Sequence, residues 1–223
     1  SGQSWGQDVE LSFDGPCGDE VTGAPGSAQS MTLDCVLATT NNPGDGGAQG
    51  WSISVAAEGG LITGITTEGT VGADVAQGGL RSVGFEKTAT TNRSGVTPGG
   101  ANDCEGLRGA VSAVVLSFVN PVTLDPEGSA VIAKVDVDAE IPATPGDCST
   151  VNVFYADGCR GAGQPVRNAV TLDASTFIPE RIGCTTTLCA ARPEDCSTPG
   201  DEDGNGLADC NDPACSDDPS CLN

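Results

Sequence analysis

The sequence contains no histidine, and only 9 of its 223 residues are lysine or arginine. Without an imidazole there is no Ser-His-Asp triad, no Cys-His dyad, no His-ligated zinc and no histidine acid–base chemistry, because each needs the ring nitrogen. So few basic residues against 31 acidic ones leave a formal net charge of −22. Phosphate backbones are bound by clustered Lys and Arg, so no nucleic-acid partner is expected. Ammonium side chains come only from Lys87 and Lys134, which argues equally against anionic membrane surfaces. Aromatics are 4% of the chain, too few and too scattered for a sugar-stacking strip. No run of 18 apolar residues is present, so no membrane insertion is expected. A cation is the partner that this charge balance favours.

What the chain does have is glycine and cysteine, 32 and 11 residues respectively. At about 100–200 residues per domain, its length suits one large domain or one domain with an appendage. Eleven cysteines without histidine or paired C-x-x-C knuckles point away from zinc and toward disulfides made in an oxidising compartment. An opening Ser1 and the lack of an apolar leader fit mature extracellular or cell-surface material. The odd cysteine count leaves one thiol free or paired with another chain.

Period-two alternation dominates the first 180 or so residues. In Ser129–Ile141, residues Val131, Ala133, Val135, Val137, Ala139 and Ile141 alternate with Ile132, Lys134, Asp136, Asp138 and Glu140, which predicts a strand with one face on a core and one in water. Val9-Leu11-Phe13, Met31-Leu33-Cys35-Leu37, Trp51-Ile53-Val55 and Val151-Val153-Tyr155 follow the same rule. Trp51 is therefore expected in the core. Ala110–Val119 is continuously apolar, as in a strand buried on both faces. Leu61–Thr70 and Val166–Leu172 are weaker strand candidates. Gly- and Pro-rich turns separate these segments, no capped helical period appears, and the fold class is an all-β sandwich.

Composition changes near residue 182, dividing the chain into a sandwich over 1–182 and a Cys-rich acidic tail over 183–223. From Pro193 to Asn223 there are nine acidic residues, four cysteines and no basic residue, so the tail needs covalent or metal staples to order itself. Cys196 with Cys210 and Cys215 with Cys221 would close its loops. Cys148 and Cys159 cannot pair if the strand between them is extended, since they would lie roughly 35 Å apart; Cys104 can reach either. The tail also repeats itself, as Asp212-Pro213-Ala214-Cys215 and Asp218-Pro219-Ser220-Cys221.

The tail holds Asp201-Glu202-Asp203-Gly204-Asn205-Gly206-Leu207-Ala208-Asp209-Cys210-Asn211-Asp212. Set on a twelve-residue calcium loop, Asp201, Asp203, Asn205, Asp209 and Asp212 supply side-chain oxygens, Leu207 its carbonyl, and Gly206 the sharpest turn. Ca2+ suits this donor set because a hard cation takes six to eight oxygens, and Asp at the last position implies an affinity of about 10⁻⁴–10⁻³ M. The loop resembles those of dockerins, which also end in Asp, and of thrombospondin type 3 repeats with their flanking cysteines. It differs from both in standing as one full loop without a duplicate.

The body has a resemblance of its own. Pro25-Gly26-Ser27 before Met31–Leu37, then Gly50-Trp51-Ser52-Ile53-Ser54-Val55, Ala113-Val114-Val115-Leu116-Ser117-Phe118 and Ser129–Val137, resemble in order the strands of cohesin-type domains over residues 8–178. The resemblance implies a nine-stranded jelly-roll sandwich that binds protein partners and has no catalytic residues. Asn92-Arg93-Ser94 is a glycosylation sequon, and Thr88–Thr97 and Thr185–Thr187 have the composition of O-glycan acceptors. These readings together predict an extracellular, non-enzymatic assembly protein whose copies associate in a calcium-dependent way into head-to-tail filaments, through the tail or through strand addition by Ser1–Phe13. Partners would be other copies or a neighbouring surface protein, with attached glycans. The alternative is a secreted binding module, for a protein or carbohydrate ligand, of a larger extracellular complex.

Overall fold

A computed structural model of the chain describes residues 8–40, 47–72, 85–90, 104, 109–116, 125, 128–159, 165–172, 174–201 and 206–221. Alternating apolar residues and intervening turn formers yield thirteen strands among them. The smaller sheet contains β1 (Asp8–Asp14), β3 (Ala28–Thr40), β5 (Leu61–Thr66), β8 (Gly128–Glu140) and β12 (Glu180–Arg181), in the order β12-β1-β3-β8-β5. The larger sheet is built on β4 (Ala48–Glu58). One side of β4 takes β7 (Gly109–Val115), which is followed by β6 (Phe85–Thr90). The other side is shared. Residues 48–52 pair with β10 (Ala169–Leu172) and 55–58 with β9 (Cys148–Tyr155). Beyond β10 lies β11 (Ser175–Phe177), and beyond β9 come β13 (Cys184–Ala190) and β2 (Glu20–Gly23).

This is the all-β sandwich that the alternation predicts, with more strands than the nine expected because β2, β10, β11 and β12 are short additional pieces, three of them at sheet edges. The composition change at 182 does not mark its end. Cys184–Ala190 is a strand, antiparallel to β9 and parallel to β2, with Leu188 fully buried. Thr185–Thr187 accordingly lie in a sheet, where Thr186 is buried and donates to the Pro16 carbonyl, which leaves it no access for a glycan. The Asn92-Arg93-Ser94 sequon falls outside the described residues.

Both inner faces meet in one core, Leu11, Leu33 and Val135 from one sheet against Ile53, Val55, Val153 and Leu188 from the other, with Trp51 included as its alternation predicts. Strand β8 departs from the expected alternation. Cys35 pairs with Ala133 but Val36 with Val131, so Ile132 is the extra residue of a β-bulge and turns inward, fully buried. Downstream of the bulge the expected odd-numbered residues face the core; upstream the parity is reversed. Tyr155 reaches across from the larger sheet, stacks on Phe13 with ring centroids 4.4 Å apart, and donates its hydroxyl to the Ser12 carbonyl at 2.7 Å. Cys35 beside it is the eleventh cysteine, unbridged and buried. Burial above all pushes its thiol up to about 12, so it stays protonated and is not available to cross-link chains.

The other ten cysteines form five bridges. Cys17–Cys184, Cys104–Cys159 and Cys148–Cys189 lie in the sandwich. Cys148 and Cys159 stay apart, as the extended strand requires, and Cys104 takes Cys159. That bridge caps a second small core on the outer face of the larger sheet, with Ala56, Val111 and Ala156. Strand β7 is thus buried on both faces, as its continuous apolar run predicts; residues 117–119 of that run lie outside the described residues. Gly109 sits directly beneath the bridge, where an added Cβ would overlap the Val55 carbonyl and come within 2.5 Å of Cys104 Sγ and 2.7 Å of Cys159 Sγ.

Nearby, Asn168 is buried and locks three segments together. Its Oδ1 accepts from Ser54 N–H at 2.7 Å, while its own backbone and side-chain amides donate to Asp157 Oδ1 at 2.9 and 3.0 Å. Arg181 adds an ion pair to the same oxygen at 3.3 Å. Partial burial pushes the Asp157 carboxyl up, but the two Asn168 donors with the Arg181 and Arg167 guanidinium groups outweigh it and hold the carboxyl below its usual range.

Two outcomes follow from this packing. Gly109→Ala should destabilise the sandwich by about 1–3 kcal/mol through overpacking against backbone and bridge; an unchanged denaturation midpoint would show that the bridge yields freely. Because the folded Asp157 pKa is lowered, its contribution to stability is present above the unfolded value of about 3.9 and is lost as pH falls through the folded one. Thermal unfolding followed from pH 7 down to acid should therefore fall less steeply for Asp157→Asn than for the wild type.

Candidate metal centre in the C-terminal tail

After Ala191 the chain lacks the apolar residues to continue a sheet, and turns take over. Three of them are built on an aspartate whose carboxylate accepts the amide two residues on, the local bonding for which Asp is favoured in turns. Asp195 accepts from Ser197 N–H at 3.1 Å, Asp212 from Ala214 N–H at 2.6 Å, and Asp218 from Ser220 N–H at 2.8 Å. The sequence echo is therefore a structural one. In both copies the closing cysteine amide returns to the aspartate carbonyl, Cys215 to Asp212 at 3.0 Å and Cys221 to Asp218 at 2.9 Å. Serine donors hold the exposed Asp195 and Asp218 carboxyls below their usual range.

The bridges differ from the expected neighbour pairing. Cys196 joins Cys215 and Cys210 joins Cys221, so the two loops interleave. Each turn-closing cysteine is tied outside its own unit, and the Ser220 hydroxyl oxygen lies 3.3 Å from the Cys196 carbonyl, which places the two ends of the tail side by side. The acidic loop still lies within a closed ring, that of Cys196–Cys215.

Within that ring the structure places four of the six candidate ligands, Asp201, Leu207, Asp209 and Asp212; Asp203 and Asn205 lie outside the described residues. Asp201 Oδ2 accepts from Gly206 N–H at 2.8 Å. Gly206 has φ +86°, in the left-handed region that favours glycine, and this folds the first and sixth loop positions against each other. Leu207 is 43% exposed, so its position at the loop surface is not set by core packing. Asp209 also has positive φ, +51°. Its amide donates to Glu194 Oε1 at 2.9 Å. Asp212 is buried and spends Oδ1 on the Ala214 amide.

Among the described residues no three Cys, Asp or Glu side chains gather as a metal-holding group. The donor chemistry and the Asp201–Gly206 closure nonetheless fit a hard divalent cation, since every cysteine of the tail is in a bridge and only oxygen is left to offer. Glu194 was not legible as part of this loop. It lies fifteen residues from Asp209, no spacing rule joins them, and the Cys196–Cys215 bridge lies beside it.

No family model matches the sequence, and no curated protein matches it. Among solved structures the chain is similar in fold to cohesin modules. That of a family 33 glycoside hydrolase from Clostridium perfringens has a TM-score of 0.41 at 14% identity, over 82% of this chain and 98% of that one. A cohesin of a type I cohesin–dockerin complex from Clostridium thermocellum gives 0.40 at 8% identity, over 82% and 99%. The sixth cohesin of scaffoldin B from Acetivibrio cellulolyticus, in complex with a dockerin, gives 0.40 at 11%, over 82% and 99%.

Proposed function

We propose that the chain is an extracellular, non-enzymatic binding module for a protein partner, and that its C-terminal loop is ordered by calcium. Five disulfides support an oxidising location. Among the described residues no helix is long and apolar enough to cross a membrane. The perturbed titratable groups support binding over catalysis. Cys35 and Tyr155 are shifted upward by burial between the sheets, Asp157 is lowered by the Asn168 amides and the Arg181 and Arg167 guanidinium groups, and Asp195 and Asp218 are lowered by the hydroxyls and amides of their own turns. Catalytic acids and bases are expected in a cleft with shifted proton affinities, and these five are structural acceptors or core residues.

The observation that carries the calcium reading is the Asp201–Gly206 hydrogen bond inside the Cys196–Cys215 ring. Asp201, Asp203, Asn205, Asp209 and Asp212 would hold the ion with the Leu207 carbonyl, and the ion would supply positive charge where nine acidic residues repel one another. Association of copies is the finer form of the same reading. A net charge of −22 keeps chains apart, and divalent ions on exposed tails offset part of that repulsion.

Titration calorimetry at millimolar calcium should give a binding heat that Asp203→Ala abolishes and Asp201→Ala weakens; a wild-type chain without calcium heat would overturn the site. Sedimentation velocity separates the finer form from the coarser. A larger species that chelator returns to monomer supports association through the tail, and a single small species unaffected by chelator leaves a monomeric binding module.

A further inference from the structure

Apart from the tail, the edge of the smaller sheet carries a cleft of about 380 Å³ between β1, the end of β3 and the segment from Phe177 to Glu180. Its size lies within the range of about 300–1,000 Å³ usual for ligand clefts. Val9, Phe177 and Ile178 supply its apolar lining, and Ile178 is 64% exposed, the most exposed large apolar side chain among the described residues. Asp8, Glu10 and Glu180 supply its acidic lining, with no lysine or arginine among the described lining residues. Arg181, the nearest basic residue in sequence, is turned to Asp157.

One feature of the pairing is costly for the fold alone. β12 joins β1 in parallel with Glu10 directly opposite Glu180, and like charges directly opposite each other on neighbouring strands destabilise a sheet. A local conflict of this kind, without an evident gain in packing, is expected where a surface serves a partner. The carboxylates do not converge tightly enough to hold a metal ion, and an apolar lining has no use for one. Nucleic acid and anionic lipid carry the wrong charge. A second copy is disfavoured in the same way, with 31 acidic residues against 9 basic.

We propose that this cleft docks an extended segment of a partner protein that carries a lysine or arginine flanked by aliphatic residues. The basic side chain lies between Glu10 and Glu180, relieving their mutual repulsion, and the flanking aliphatic side chain covers Ile178 and Phe177. Desolvating a paired charge beside an apolar contact gives such a site both its orientation and its selectivity. Calcium plays no part in it, so this reading stands or falls independently of the tail.

The test uses the intact chain and a blocked pentapeptide, valine-lysine-valine-arginine-valine, with its glutamate-substituted counterpart as control. In an NMR titration the basic peptide should shift the amides of residues 8–10 and 177–180, and the acidic one should not. The double variant Glu10→Gln/Glu180→Gln should weaken binding about ten-fold, Ile178→Ser should weaken it less, and Asp136→Asn/Asp138→Asn, on β8 of the same sheet, should leave it unchanged. Glu180→Gln should also hold or raise the thermal midpoint, because it removes a like-charge pair. Four results would overturn the proposal: no binding of the basic peptide, equal weakening by the β8 variant, a lowered midpoint for Glu180→Gln, or concentration-dependent shifts of the same amides without peptide, which would mean that a second copy fills the cleft.

Discussion

The Cys17–Cys184 bridge links the turn after β1 to the last strand of the sandwich, across 167 residues. A loop of that length, once cross-linked, loses on the order of 5 kcal/mol of unfolded-state entropy in the chain-entropy model. The core has reason to depend on it. With aromatics at 4%, the two sheets meet through Leu, Ile, Val and Ala, which bury less area per residue than aromatic side chains do. Trp51 and Tyr155 are the core's buried aromatics, and Tyr155 bridges the sheets by its hydroxyl and its ring stacked on Phe13. Cys148–Cys189 then fastens β9 to β13 at the other end of their register. Strand β13 is thereby both the closing strand of the larger sheet and the anchor from which the acidic tail departs.

The body was legible because burial on one face of a strand imposes a period of two, and that period stands in the sequence at β1, β3, β4, β8 and β9. Its failures have physical causes. Ile132 broke the pattern because a bulge adds one residue and reverses parity, and no local residue type announces a bulge at an isoleucine. Strand β13 was hidden in Cys184-Thr185-Thr186-Thr187-Leu188-Cys189, whose threonines resemble a linker by composition, whereas β-branched side chains suit a strand once a neighbour covers them. Strand β10 falls within the weaker candidate Val166–Leu172, whereas β11 and β12 contain too few residues to show any period.

The tail was not legible in its connectivity. The repeated Asp-Pro-x-Cys proved to be one turn used twice. Disulfide partners depend on where the turns point, which spacing does not encode, so neighbour pairing gave way to the interleaved Cys196–Cys215 and Cys210–Cys221 order. Glu194 meets the loop at the Asp209 amide, beside the first of those bridges.

The distribution of negative charge separates what the fold tolerates from what it does not need. On the outer face of the smaller sheet the carboxylates of Asp136 and Asp138 accept hydroxyl donors from Thr32 and Ser30 across the strand pair, each at 2.7 Å, so their charge is spread into local hydrogen bonds. In the tail, Asp195, Asp212 and Asp218 are absorbed by turn amides. Glu10 and Glu180 differ in kind. They are set opposite each other by parallel pairing rather than by sequence proximity, beside an exposed isoleucine and with no basic residue among the described residues lining the same cleft. A chain selected only for solubility would have no need to place two of its carboxylates in register there, because exposed positions elsewhere carry the same charge at lower cost. The arrangement gains its balance from outside the molecule, where a partner's cation would turn an unfavourable cross-strand pair into two favourable ones.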